Sequence, residues 1–141
     1  MCMVYFKMEQ DAFELIDIYA REIEIDTHVD VINIMQKLES SPNIKHKWLY
    51  KAMQAKRKLL ELIEQKEDIV NKRMENNPIQ LSRAAIKNKS EGDPEIVKLN
   101  REIGRYELLV EYLDRAVDKI FGQMGFDFTN IVNLLKQEQL S

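Results

Sequence analysis

Residues 42–75 read PNIKHKWLYKAMQAKRKLLELIEQKEDIVNKRME, a stretch that opens on proline and holds KHKWLYK, KRK and NKR but no glycine. Trp48, Ala52, Ala55, Leu59, Leu62, Ile69 and Val70 recur at helical spacing and predict one long helix. Its apolar stripe is roughly 33 Å long at the helical rise of 1.5 Å per residue. Ser41 is suited to cap it and Pro42 to its first position, where no N–H partner is needed. Asn76-Asn77-Pro78 is a stop, because the residue before proline disfavours the helical region. The 141-residue chain carries a net charge of −3, yet within this stretch nine Lys and Arg face five carboxylates. Before it, only Lys7, Arg21 and Lys37 stand against nine carboxylates. Cations gathered on one helix of an acidic protein point to a specific polyanion site.

The flanks extend the helical reading. On the N-terminal side, Phe13, Ile16 and Ala20 predict a first helix from about Asp11 to Glu22. Ile23-Glu24-Ile25-Asp26 alternates with period two and reads as a short extended link. Asp26 or Thr27 is suited to cap a second helix, with Val31, Ile34, Met35 and Leu38 as its apolar face and an end near Glu39. Residues 1–9 are left open as a strand, a docking arm or a frayed end. On the C-terminal side, residues 79–94 read as a short helix or a connection.

A last long helix then starts near Pro94. Ile96, Leu99, Ile103, Tyr106, Val110, Leu113, Val117, Ile120 and Met124 alternate by three and four along it, which is a heptad seam. Leu109, Ala116 and Phe121 widen the seam on one side. Gly122 and Gly125 are expected to end it, with Phe126-Asp127-Phe128 extended and Thr129 capping a short helix through Leu135. The whole is an all-α, elongated single domain over residues 1–141. Seams of this kind serve as internal core or as an interface between copies. The width of this one in so small a chain favours self-association through Ile96, Leu99, Ile103, Tyr106, Val110, Leu113, Val117 and Ile120.

Catalytic chemistry finds little support. The two histidines, His28 and His46, lie on different predicted helices, and no Glu-x-x-His pair exists to build a di-metal bundle. Cys2, the only cysteine, has no positioned base nearby and cannot form an internal disulfide. The four glycines are isolated, so there is no phosphate-cradling loop. The expectation is a protein that is not an enzyme and needs no cofactor or metal. No apolar run approaches the roughly 18 residues of a membrane span, and the N-terminus lacks the pattern of a signal peptide. A cytoplasmic protein without a membrane partner is expected.

Helical geometry sorts the cations. At 100° per residue, Lys47, Lys51, Gln54, Lys58, Gln65 and Lys72 line one stripe about a quarter turn from the apolar face. Arg57 and Tyr50 flank that stripe on its far side, whereas Trp48 falls on the core side. Cations along a groove beside an exposed ring can hold a nucleic-acid single strand without sequence preference. A lysine-rich face is also the ordinary solvated face of a helix, and Arg57–Glu61 or Lys58–Glu61 pairs would support it locally. Two readings therefore stand: a single-strand-binding oligomer, or a helical scaffold that never touches nucleic acid.

The order of elements resembles the UvsY family of recombination mediators of tailed phages, from about Asp11 to Glu138. The likeness is carried by the acidic first helix leading into Ile23-Glu24-Ile25-Asp26, and by Pro42 followed by His46-Lys47-Trp48-Leu49. Asn71-Lys72-Arg73-Met74, Leu108-Leu109-Val110-Glu111-Tyr112-Leu113, and Gly125-Phe126 with Ile131 after it continue it. Asn76 and Asn77, where relatives tend to carry aromatics, depart from the pattern. The resemblance implies a ring-like homo-oligomer, hexameric or heptameric, that binds single-stranded DNA. It further implies a mediator that helps a recombinase load onto DNA covered by single-strand-binding protein, in the host cytoplasm if phage-encoded. By the same resemblance Lys72 and Arg73 inherit a DNA contact, and for Arg73 it is the sole ground.

Overall fold

The computed structural model describes residues 11–75 and 92–140. Three helices account for nearly all of them: α1 (Ala12–Thr27), α2 (Ile34–Glu75) and α3 (Pro94–Leu140). No strand occurs among the described residues. The α2 and α3 helices run antiparallel, since Lys56 pairs with Asp114 at 3.1 Å and Arg73, near the end of α2, pairs with Glu95 at the start of α3. The α1 helix lies along the pair, with Asp11 held by Arg105 of α3. One core joins all three: Ala12 and Ile23 from α1, Trp48, Ala52 and Ala55 from α2, and Leu109, Leu113 and Ala116 from α3.

The all-α elongated architecture, the long basic helix and the heptad helix are as expected, but three boundaries differ. The first is the link expected at Ile23–Asp26, which is the last part of α1. Ile23 is buried and continues the helical spacing of Leu15, Ile16 and Tyr19 onto the core. Thr27, expected as a cap, instead donates its hydroxyl back to the Ile23 carbonyl at 2.6 Å. The cap of the next helix is Asp30. Its carboxylate accepts the N–H groups of Ile32 and Asn33, at 2.9 and 2.8 Å, while the Asn33 side chain accepts the Asp30 N–H at 2.9 Å. This reciprocal exchange is a capping box. Backbone hydrogen bonding from Asn33, chiefly, holds the Asp30 carboxyl below its usual value.

The second difference is that the helices expected to end at Glu39 and restart at Pro42 are one. Pro42 sits inside α2, where it forfeits the bond to the Leu38 carbonyl. Ile34, Ser41, Trp48, Ala55 and Leu62 are all buried and lie seven residues apart, so one continuous face crosses the proline. Burying that face offsets a penalty of about 3 kcal/mol.

The third difference is the end of α3, which passes through Gly122 and Gly125 to Leu140. Neither glycine adopts a positive φ. Met124 is buried and Phe128, Ile131 and Leu135 are half-buried, which carries the three-four spacing past both glycines. The expected extended Phe126–Phe128 and the cap at Thr129 are therefore helical. Thr129 donates to the Gly125 carbonyl at 3.1 Å within that helix. The start at Pro94 is as expected, with Asp93 accepting the Glu95 N–H at 2.9 Å. The expectations for residues 1–9, and for 79–94 up to residue 91, lie outside the described residues.

Candidate nucleic-acid interface

Trp48 anchors the centre of the site. It is fully buried, meets the edge of Tyr19 with ring centroids 5.5 Å apart, and donates its indole N–H to Asp26 at 2.9 Å. Asp26 also pairs with Lys47 at 2.9 Å, while Glu22 stands 3.4 Å from Lys47 and 3.8 Å from Lys51. Burial lowers the basicity of Lys47, but the bond to Asp26 and the charges of Asp26 and Glu22 outweigh it and raise its pKa. The Lys51 ammonium lies 4.5 Å from the Tyr19 ring and 5.4 Å from Trp48, a cation–π arrangement on two rings. Tyr19 itself is held in its neutral form by burial and then by the nearby Glu22 charge.

Beyond Lys51, α2 borders a cleft of about 330 Å³ where the three helices meet. Leu15, Ala55 and Leu109 form its apolar floor. Tyr19 of α1, Tyr106 of α3 and Gln54 of α2 stand around it, with Lys51 and Lys58 completing the lining. The expected stripe of Lys47, Lys51, Gln54 and Lys58 thus runs along one side of α2 and gains two tyrosines from other helices. Those tyrosines were not separable from core residues by the periodicity of their own helices; only the tertiary arrangement brings them to the lysines.

The remaining site residues divide. Lys72 is exposed and carries no ion pair among the described residues, in line with its place on the stripe. Tyr50, 56 % exposed, and Arg57 occupy the outer face of α2, away from the cleft. Arg73 turns towards α3, where Asp93 and Glu95 both take its guanidinium. It therefore ties the end of α2 to the start of α3.

Of the seam residues assigned to self-association, Ile96 and Leu113 are buried inside the protomer. Leu99, Ile103, Tyr106, Val110, Val117 and Ile120 are half-buried. A further exposed apolar set lies on α2: Met35, Leu38, Leu49, Met53 and Leu60. Their spacing, in multiples of three and four, is a second and weaker stripe that the cations of the same helix obscure. Among the described residues no cluster of His, Cys, Asp and Glu is placed to hold a metal ion. No described helix is long and apolar enough to cross a membrane.

No protein-family model matches the sequence, and no curated protein does. Solved structures do. The chain matches a crystal structure of the bacteriophage T4 recombination mediator protein UvsY with a TM-score of 0.73 and 19% identity, covering 87% of this chain and 98% of that one. A second lattice form of the same protein gives a TM-score of 0.69 and 16% identity, covering 87% and 96%. The resemblance read from the sequence thus holds at the level of the fold.

Proposed function

We propose that this chain, which has the fold of UvsY, is itself a recombination mediator: a non-enzymatic homo-oligomer that holds single-stranded DNA and helps a recombinase load where single-strand-binding protein already sits. The observation that carries this reading is the match to nearly the full length of a solved recombination mediator. The line of Lys47, Lys51 and Lys58 beside aromatic rings supports it from the chain's own chemistry. Each protomer, one domain, offers a few cations, several of them already engaged by carboxylates, so a single copy binds weakly. Copies joined in a ring present the same stripe repeatedly, and linked sites act at high effective concentration. Weak contacts repeated many times let a strand be held and yet be handed over. The acidic outer side of α1, with Glu14, Asp17 and Glu24 exposed, is left to meet basic partner proteins in the cytoplasm.

The scaffold reading draws on one observation: Lys47, Lys51, Lys56 and Arg73 all have carboxylate partners within the protomer. A loading assay separates the two. Single-stranded DNA is coated with single-strand-binding protein, a recombinase is added, and filament nucleation is followed with and without this protein. The mediator reading predicts a shorter lag in its presence. An unchanged lag, together with a stable oligomer that ignores oligonucleotides at low salt, would establish the scaffold instead.

A further inference from the structure

We propose that the cleft between the three helices seats a nucleobase of the bound strand, with Lys51 and Lys58 holding the phosphates on either side. The inference rests on the single-strand reading above and names where that strand enters the fold. The cleft's 330 Å³ lies at the lower end of the range for small-ligand sites, which suits a flat ring and not a folded peptide segment. Its walls are of two kinds. The Leu15, Ala55 and Leu109 floor offers apolar contact to a ring, while the Tyr19 and Tyr106 hydroxyls and the Gln54 amide can meet polar ring edges.

The arrangement of charge is the stronger argument. Lys51 and Lys58 are seven residues apart on α2, two turns or about 10 Å along the axis. Between them Ala55, nearly buried and with the smallest of side chains after glycine, leaves the recess open. Cation, recess, cation matches the alternation of phosphate, base, phosphate along a strand. Glu22, 3.8 Å from Lys51, is the anion that an incoming phosphate displaces. That pair is partly exposed on both sides and therefore weak. A base in a duplex is stacked and paired and does not reach such a recess without being extruded, so the site selects single strands.

The test uses the full chain and two strands of equal length and charge, one of thymidine nucleotides and one with every base replaced by an abasic sugar. The base-bearing strand is expected to bind at least about fivefold tighter, from burial of the ring's apolar surface on the cleft floor. An iodouracil-bearing strand, irradiated in the complex, is expected to crosslink to Tyr19 or Tyr106. Equal affinity for the two strands, or crosslinks confined to Tyr50, which does not line the cleft, would overturn the cleft as the base seat while leaving single-strand binding intact. Failure of the wild type to bind either strand at low salt would remove the single-strand reading and the cleft with it.

Discussion

Adjacent residues of α2 have opposite duties, and substitution separates them. Lys72 is exposed and unpaired among the described residues, whereas Arg73 is engaged by Asp93 and Glu95. Lys72→Ala is expected to weaken single-strand binding with no change in thermal midpoint. Arg73→Ala is expected to lower stability by up to about 1 kcal/mol, the range of partly exposed ion pairs, with at most a small change in binding. Denaturant titration and strand affinity, measured on both variants, distinguish the two roles. Asp30 provides a pH signature. Its folded pKa is depressed by the capping bonds, so its contribution to stability is present above the ordinary carboxylate value of 3.8 and is lost as pH falls through the lower folded value. Asp30→Asn, which keeps an acceptor for the same N–H groups, should flatten the acid limb of the melting curve. A variant whose acid limb matches the wild type would assign that limb to other carboxylates.

At the scale of elements, α2 and α3 both run through residues that ordinarily end helices. Pro42 is exposed inside α2, and Pro42→Ala restores an N–H donor to the Leu38 carbonyl. The expected gain is about 1–2 kcal/mol, less than the full proline penalty because alanine also frees the unfolded chain. An added Cβ at Gly122 or Gly125 meets nothing within 4 Å. Gly122→Ala and Gly125→Ala should each therefore stabilise by roughly 0.5–1 kcal/mol. Urea unfolding monitored by helicity measures all three. These positions also show what was legible in the sequence. The long basic helix and the heptad of α3 were readable because their apolar spacing is dense and uninterrupted. The breaks predicted at Ser41-Pro42 and Gly122–Gly125 came from local propensity, which burial of a continuous face overrides. The lysine stripe of the candidate site could be read from one helix, but Tyr19 and Tyr106 join it only through packing between helices.

At the scale of the whole molecule, three helices share one narrow core, and the exposed apolar side of α2 remains as surface. Met53 and Leu60 are each about 60 % exposed, on a helix that is otherwise highly charged. Met53→Glu/Leu60→Glu should leave helicity intact and shift the native mass towards the protomer, because two carboxylates would be desolvated in any interface on that face. A wild type larger than the protomer whose mass the double substitution leaves unchanged would argue against that face as the contact between copies. The central claim is that the Lys47–Lys58 side of α2 holds one DNA strand. The most direct measurement is single-strand affinity across a salt series for the wild type and for Lys51→Ala/Lys58→Ala. The wild type should lose affinity with salt at a slope of about −0.7 per phosphate contacted. The double variant should bind more weakly and with a shallower slope; identical affinity and slope in the two proteins would contradict the claim.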